Sequence, residues 1–327
     1  MLDWLLLLTG LALLAGGAEA LVRGASRLAA SVGVSPLVIG LTVVGFGTSM
    51  PEVVVSALAS FNGEPAIALG NVVGSNIANP GLILAVAALI LPMRCDMQLL
   101  RRDAPIMILV TMLVLALSWT GRIARLDGLL MLAGLGAFVW LTLRWARLEP
   151  PRIAAEFAAF EHDRGWLPED NEANRGRLQR RRILHCLWIA LGIGLLVGGG
   201  HLLVESATAL ARRFGISDAV IGATLVAVGT SLPELATSVV AALRREADIS
   251  VGNIIGSNIF NLLGVLGLAA AIRPIPVPAV VRDFDLLWMA AFAAATALVL
   301  RTGHKVTRLE GAALLAAYAV FVILLLR

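Results

Sequence analysis

The sequence is poor in charged residues. Asp, Glu, Lys and Arg together make up 15% of its 327 positions, whereas a soluble domain carries about 25%. Apolar residues make up 59%. This balance excludes an ordinary soluble domain and indicates a chain solvated mostly by lipid, in which a spanning helix needs about 20 largely apolar residues. Ten stretches of this kind recur, at roughly 4–28, 37–61, 66–91, 104–120, 126–143, 183–210, 219–243, 249–272, 286–300 and 309–326.

Cysteine and histidine are also scarce, with two and four residues. Cys95 and Cys186 both lie near ends of apolar stretches that the charge distribution below places on the cytoplasmic side. The sequence therefore predicts free thiols at both positions rather than a disulfide.

The distribution of the basic residues indicates how the chain is oriented in the membrane. The formal net charge is +4, but membrane proteins concentrate Lys and Arg on the cytoplasmic side, so their location decides what the charge means. With the N-terminus outside, 19 of the 26 Lys and Arg residues fall on inside ends and loops, and seven fall outside. We therefore predict a multi-pass protein of the cell (inner) membrane with both termini outside, and no nucleic-acid partner.

The chain contains an internal repeat. Shifting the sequence by 182 residues aligns the segment from Ser35 to Asn79 without a gap, and 22 of the 45 positions are identical. Duplication of a five-helix unit follows. Because five is odd, the second copy must enter the membrane from the opposite side to the first.

The predicted fold is therefore an all-α polytopic membrane protein, with ten transmembrane helices arranged as two inverted five-helix repeats. The predicted boundaries are 1–147 for the first repeat, 148–182 for a cytoplasmic linker and 183–327 for the second repeat. The linker carries charges of both signs. Its acidic residues lack the regular spacing of a calcium loop, which favours a solvated connection over a regulatory ion-binding domain.

Each repeat carries a proline within an apolar stretch. Proline cannot donate an amide proton, so Pro51 frees the carbonyl of Gly47, and Pro233 frees that of Gly229. Exposed carbonyls persist at membrane depth only where protein, water or ions satisfy them. Two helices broken near the midplane are therefore predicted.

Polar side chains surround both predicted breaks. Residues three or four positions apart share one face of a helix. One such stripe in each copy surrounds a single carboxylate: Thr48, Ser49, Glu52 and Ser56 in the first, and Thr230, Ser231, Glu234 and Ser238 in the second. The following helices add Ser75 and Asn79, or Ser257 and Asn261, beside glycines that permit close packing (Gly70, Gly74, Gly252 and Gly256). Oxygen ligands without His or Cys suit hard cations such as Ca²⁺ and Na⁺.

Not every polar residue in these helices is predicted to bind an ion. The hydroxyls of Ser56, Ser238, Thr42 and Thr224 are expected to bond within the helical framework. The amides of Asn71, Asn253, Asn76 and Asn258 are expected to satisfy freed backbone groups. Glu52 and Glu234 differ, because a charge near the bilayer centre costs at least ~2.5 kcal/mol and usually marks function.

The first helix of each repeat carries two ionisable groups four residues apart. These are Glu19 with Arg23 in the first copy, and His201 with Glu205 in the second. The spacing suits a local pair on one helix face. We favour this pairing over a role beside an ion access path.

These features together resemble the cation/calcium exchanger superfamily, especially prokaryotic sodium/calcium exchangers. The resemblance spans nearly the whole chain and is carried by GTSMPE with GNVVGSNIAN in the first copy, and by GTSLPE with GNIIGSNIFN in the second. It implies a secondary transporter rather than an enzyme. The implied activity is electrogenic antiport, commonly three Na⁺ for one Ca²⁺, by alternating access through sliding of the first helix of each repeat.

The resemblance also implies a ligand set. Glu52 and Glu234 would bind Ca²⁺ directly, together with the backbone carbonyls of Thr48 and Thr230. Asn79 and Asn261 would lie at the centre. Six further residues would complete the Na⁺ sites: Gly45, Ser49, Ser75, Ala227, Ser231 and Ser257. The transported ions are the expected ligands, with no separate cofactor.

One position departs from the family pattern, since Asn261 stands where members often carry Asp. Asn holds neither a proton nor a negative charge, so the number of Na⁺ sites and any role for H⁺ stay open. A Ca²⁺/H⁺ antiporter is the nearest alternative. A passive channel ranks below it, and an intramembrane hydrolase lower still, because no His, Cys or Lys accompanies the motif serines.

Overall fold

A computed structural model describes residues 2–32, 34–94, 96–146, 175–214 and 229–325. Its elements are helices joined by short turns, with four strands of two residues each. The helices are α1 (Leu2–Val32), α2 (Pro36–Thr48), α3 (Met50–Phe61), α4 (Pro65–Ile90), α5 (Ala104–Ser118), α6 (Arg125–Ala146), α7 (Arg175–Arg213), α8 (Leu232–Leu243), α9 (Ala247–Ile272), α10 (Val281–Arg301) and α11 (Arg308–Leu325).

The all-helical polytopic prediction is confirmed. Within the described residues, seven helices are long and apolar enough to cross a membrane, and α2 with α3 forms an eighth span if the bent pair is counted as one. Helix α5 has 15 residues and α8 has 12, so neither reaches that length alone. The prediction of ten spans therefore stays a prediction.

The first predicted helix break is present and falls at a serine, and in the second copy a turn at Thr230 and Ser231 precedes α8. Helix α2 ends at Thr48 and α3 begins at Met50, with a bend of 44° between them. Ser49 has φ −79° and ψ 5°, and Ser231, just before α8, has φ −90° and ψ 6°. Pro51 consequently lies in the first turn of α3, where its missing amide proton costs nothing.

The strands connect the two halves of the sequence. Strand β1 (Met93–Arg94) pairs with β4 (Lys305–Val306), and β2 (Arg122–Ile123) pairs with β3 (Ile275–Pro276), both antiparallel. In the alignment of the repeats, β1 corresponds to β3 and β2 to β4. Each two-stranded ribbon therefore contains one strand from each copy.

The helices also pack across the copies. Helices α4 and α9 are mostly buried and form the centre of the fold. Helix α6 packs on the C-terminal half of α9, and α11 packs in the equivalent way on α4. Glycines permit these contacts: a Cβ on Gly128 would lie 2.6 Å from the nitrogen of Ala271, and one on Gly311 would lie 2.9 Å from the carbonyl oxygen of Ala85.

Helices α1 and α7 form a close antiparallel pair. Glycines seven residues apart face each other along the pair: Gly10, Gly17 and Gly24 on α1, and Gly192 and Gly199 on α7. A Cβ on Gly17 would lie 2.8 Å from the nitrogen of Leu196 and 2.9 Å from the carbonyl oxygen of Gly192. At both ends polar contacts add to the seam, since Arg213 pairs with Asp3 at 2.7 Å and Arg182 Nε donates to the carbonyl of Ser31 at 3.0 Å.

The local ion pairs predicted on these two helices are confirmed. Arg23 lies 2.5 Å from Glu19, and His201 lies 3.8 Å from Glu205. The structure adds a contact that sequence spacing does not reveal, because Arg244 at the end of α8 also pairs with Glu19. The two copies therefore differ in how their first helix is connected to the rest of the protein.

Some of the sequence predictions fall wholly or partly outside the described residues. The predicted linker, 148–182, lies there from 148 to 174, and so does Cys95. Cys186 is an exposed free thiol, as predicted.

The α1–α7 seam can be tested with one methyl group. In Gly192→Ala the new Cβ would lie 2.6 Å from the backbone nitrogen of Leu21 and 2.8 Å from the carbonyl oxygen of Gly17, so the helices must separate. Overpacking of about 1 to 3 kcal/mol should lower the thermal unfolding midpoint of the purified protein in detergent by roughly 2 to 6 °C.

Gly194→Ala is the matched control, because no described atom lies within 4 Å of a Cβ at that position. Alanine also has the higher helix propensity, so this variant should unfold at the same temperature or slightly higher. An equal loss of stability in both variants would show that the seam is not tightly packed.

Candidate cation site

The two predicted carboxylates lie in the interior. Glu52 and Glu234 are 0% and 1% exposed. Each belongs to the first turn of its helix, α3 or α8, where the unsatisfied amide groups of a helix N-terminus favour negative charge. The broken helices thus place both carboxylates at the positive ends of helix dipoles.

Each carboxylate accepts a hydrogen bond from the serine of the opposite copy. Ser49 Oγ donates to Glu234 Oε1 at 3.2 Å, and Ser231 Oγ lies 3.3 Å from Glu52 Oε1. Ser75 Oγ, from α4, lies 3.4 Å from the same Glu52 oxygen and 3.2 Å from Ser231 Oγ. The sequence predicted one polar stripe around each carboxylate, but the structure combines the two stripes into one polar cage.

The threonines next to the two serines also form hydrogen bonds to the opposite copy. Thr48 Oγ1 donates to Asn253 Oδ1 at 2.9 Å, and Thr230 Oγ1 donates to Asn71 Oδ1 at 3.2 Å. Each of these asparagines belongs to the third helix of the copy that does not contain its threonine. The breaks are therefore stabilised by side chains distant in sequence.

The predicted structural roles of several polar residues are confirmed. Asn71 Nδ2 donates to Ser56 Oγ at 3.0 Å, and Asn253 Nδ2 donates to Ser238 Oγ at 3.1 Å. The same amides lie 3.4 and 3.5 Å from the backbone carbonyls of the two cage glutamates. Thr42 Oγ1 bonds back to Val38 O at 2.6 Å.

Further members of the predicted ligand set converge beside the carboxylates. Ser257 Oγ donates to the carbonyl of Gly45 at 3.3 Å and lies 3.4 Å from Thr48 Oγ1. A Cβ on Gly45 would lie 3.1 Å from the nitrogen of Ser257, so the missing side chain lets α2 approach α9 closely. Ala227 and Thr224 lie outside the described residues.

The packing role predicted for the motif glycines holds in one copy. A Cβ on Gly256 would lie within 2.9 Å of the backbone of Leu41, and one on Gly252 within 3.2 Å. For Gly70 and Gly74, no described atom lies within 4 Å of a Cβ, so close backbone approach is not found there in the part of the chain that the structure describes.

Four buried oxygens of the predicted ligand set have no hydrogen-bond partner among the described residues. They are Glu52 Oε2, Glu234 Oε2, Asn79 Oδ1 and Asn261 Oδ1, and the Nδ2 of Asn261 is also without a partner. A buried polar atom without a partner is costly, and a buried carboxylate more so. Unpartnered buried oxygens of this kind suit a bound cation.

Among the described residues, the cage contains two carboxylates and no third titratable side chain. Within the same ranges, no group of three or more His, Cys, Asp or Glu side chains could hold a metal. Asn79 and Asn261 are both 0% exposed and carry no charge. A single divalent cation would therefore balance the two carboxylate charges.

One interaction at the cage was not predicted. Asn79 Nδ2 donates to Asn258 Oδ1 at 2.8 Å, and Asn258 Nδ2 lies 3.5 Å from Met107 Sδ on α5. The prediction that Asn258 satisfies backbone groups is wrong, because its described bonds are to side chains. Asn76, the equivalent residue in the first copy, does bond to backbone, at 2.8 Å from Val72 O. No sequence signal distinguishes Met107 from other apolar residues of α5.

Comparisons with known proteins agree with this geometry. The family model described as sodium/calcium exchanger protein matches residues 2–144 and 184–327. The sodium/calcium exchanger MaX1 of Methanosarcina acetivorans is 35% identical over 99% of this chain and 98% of its own length. The putative antiporter CaxA of Alkalimonas amylolytica is 38% identical over 95% and 94%, and the inner membrane protein YrbG of Escherichia coli is 38% identical over 86% and 84%.

A solved structure of the sodium-calcium exchanger NCX_Mj, soaked with zero Na⁺ and Ca²⁺, superposes with a TM-score of 0.82. The match has 29% sequence identity and covers 100% of this chain and 99% of that one. The similarity therefore extends over both halves of the chain. The chain belongs to the sodium/calcium exchanger protein family, and with it to the cation/calcium exchanger superfamily of membrane antiporters.

Proposed function

We propose that this protein exchanges Na⁺ for Ca²⁺ across the cell membrane by alternating access. One observation carries the proposal. Two fully buried carboxylates each bond through one oxygen to a serine of the opposite copy, and each leaves its second oxygen without a described partner. Asn79 and Asn261 add two amide oxygens to the same centre.

This centre is the Ca²⁺ site of the proposal. Ca²⁺ takes six to eight oxygen ligands at 2.3–2.6 Å. The unpartnered oxygens of Glu52, Glu234, Asn79 and Asn261, with the backbone carbonyls of Thr48 and Thr230 at the two helix breaks, supply a set of this size. With Ca²⁺ bound the cage is neutral, which removes the cost of burying two isolated negative charges.

Sodium ions use the two flanks of the same cage. One flank contains the Gly45 carbonyl with the hydroxyls of Thr48 and Ser257, which lie within hydrogen-bond distance of one another. The other contains Ser75 and Ser231, at 3.2 Å, against Glu52. Ser49 completes the set next to Glu234, and Ala227 is assigned by the family resemblance alone.

Obligatory exchange follows from the shared carboxylates. A cation beside Ser75 and Ser231 uses Glu52, and one beside Ser49 uses Glu234. The central Ca²⁺ also needs both glutamates, so the two ions cannot both be fully bound. Three Na⁺ would leave one surplus positive charge where Ca²⁺ leaves none, and transport would then respond to the membrane potential.

Alternating access rests on the proposed topology of ten spans in two inverted repeats. Two features support this arrangement. Each two-stranded ribbon takes one strand from each copy, and α6 packs on α9 as α11 packs on α4. Helices α1 and α7 pack closely on each other along the glycine seam, so in the proposal they slide together past the cage when the opening changes sides. Both termini then lie outside.

Coupling to Na⁺ can be tested by counter-ion dependence. In proteoliposomes loaded with Na⁺ and diluted into Na⁺-free buffer, labelled Ca²⁺ should accumulate at a rate at least tenfold above that of vesicles loaded with choline. The alternative, Ca²⁺/H⁺ exchange through protonation of the two glutamates, predicts accumulation driven by a pH gradient without Na⁺. Uptake indifferent to both gradients would indicate a passive pathway and contradict antiport.

The role of the carboxylates can be tested by charge removal. Glu52→Gln keeps the shape of the side chain but removes half of the charge that balances Ca²⁺, so the Na⁺-driven uptake rate should fall by at least about tenfold, equivalent to 1.4 kcal/mol. Glu64→Gln is the control, because Glu64 precedes α4 and is exposed. Unchanged transport in Glu52→Gln, or an equal loss in both variants, would refute direct Ca²⁺ binding by Glu52.

Inversion of the repeats can be tested at two equivalent turns. Thr120 and Thr302 lie next to the positive-φ glycines Gly121 and Gly303, and both threonines are exposed. In a cysteine-free background, Thr120→Cys should react with a membrane-impermeant thiol reagent from outside intact cells. Thr302→Cys should react only after permeabilisation. Labelling of both from the same side would rule out the inverted arrangement.

A further inference from the structure

We infer that Asn258 is a positioning residue for the ion site, which holds Asn79 so that its carbonyl oxygen faces the cation. The inference deepens the proposed function and rests on it. Asn258 touches no carboxylate of the cage in the described contacts. Its Oδ1 accepts the hydrogen bond of Asn79 Nδ2 at 2.8 Å. The Oδ1 of Asn79 is then left buried and without a described partner.

Met107 determines which end of each amide faces the next residue in this series of contacts. A thioether sulfur has no hydrogen to donate and acts only as a weak acceptor. Asn258 is 3% exposed and directs its Nδ2 to Met107 Sδ at 3.5 Å, so its Oδ1 is directed to Asn79. Two carbonyl oxygens would repel each other at that distance, and Asn79 must therefore present its amide nitrogen to Asn258.

Orientation matters because the two ends of a carboxamide act oppositely on a cation. The oxygen coordinates Ca²⁺ or Na⁺, whereas the NH₂ group repels them. If Asn79 were free to rotate, its NH₂ would turn toward the two carboxylates of the cage, and charge-assisted hydrogen bonds would hold it there. Asn258 prevents this rotation by binding the NH₂ group on the side away from the cage centre.

The symmetry-related pair, Asn76 and Asn261, does not form this contact among the described residues. Asn76 is the counterpart of Asn258 in the alignment of the repeats, but its Nδ2 bonds to Val72 O of its own helix at 2.8 Å. Asn261, the counterpart of Asn79, has neither Nδ2 nor Oδ1 partnered among the described residues. One central asparagine is therefore fixed in orientation, and the other is adjustable.

Direct binding of labelled Ca²⁺ to the purified protein in Na⁺-free detergent tests the inference without relying on transport. Asn258→Ala should raise the Ca²⁺ dissociation constant by about tenfold, because the Asn79 oxygen is no longer held toward the ion. Asn76→Ala removes the same amide from the equivalent position of the other copy. It should change the constant by less than about twofold.

The same substitutions made together with Asn79→Asp show whether Asn258 acts through the orientation of Asn79. A carboxylate presents an oxygen whichever way it turns, so adding Asn258→Ala to Asn79→Asp should change the dissociation constant by less than about twofold. The tenfold loss should therefore be absent from the double variant. Met107→Leu, which keeps the apolar volume but removes the acceptor, should raise the constant in the Asn79 background and leave it unchanged in the Asn79→Asp background.

Each result has a clear meaning. Equal effects of Asn258→Ala and Asn76→Ala, or a tenfold loss that persists with Asn79→Asp, would overturn the positioning role. If Asn258→Ala proves too unstable to purify, the Met107→Leu comparison decides the question alone. If the unaltered protein binds Ca²⁺ but shows no Na⁺-driven uptake, the proposed exchange fails while the binding comparison still tests Asn258. Absence of Ca²⁺ binding would refute both.

Discussion

Two carboxylates enclosed in a membrane protein have to be compensated, and the arrangement of the core follows from that constraint. Glu52 and Glu234 are almost completely buried, at a depth where an uncompensated charge is strongly unfavourable. Helix N-termini, serine hydroxyls and asparagine amides surround them, and one oxygen of each stays without a described partner. The proline-broken helices serve this arrangement, because an unbroken helix would present no N-terminus at the site.

Part of this compensation comes from the opposite copy of the repeat. Ser49 bonds to Glu234 and Ser231 to Glu52, while Thr48 and Thr230 bond to the third-helix asparagines of the other half. Neither half can complete its own site. Movement of one half relative to the other would therefore alter the ligands of both carboxylates together, which is the coupling that an antiporter needs.

The copies nevertheless differ at the cage and at the first helix of each repeat. Asn258 orients Asn79, whereas Asn76 bonds to its own helix and leaves Asn261 unoriented. Glu19 pairs with Arg23 and Arg244, while the equivalent position holds His201. A duplicated scaffold thus surrounds one cage with unequal local contacts in its two halves.

The amino-acid sequence by itself determined the repeat, the helical membrane fold, the two breaks and the pair of glutamates. All of these depend on local spacing, hydropathy or proline chemistry, which act within a few turns of helix. It also separated framework amides such as Asn71 and Asn253 from the carboxylates. Only the tertiary structure decided that the serines serve the opposite carboxylate, that Arg244 reaches Glu19 and that a thioether on α5 sets the direction of Asn79. These contacts join residues 151 to 225 positions apart. They depend on which helix faces meet in the packed protein, and periodicity along one helix does not contain that information.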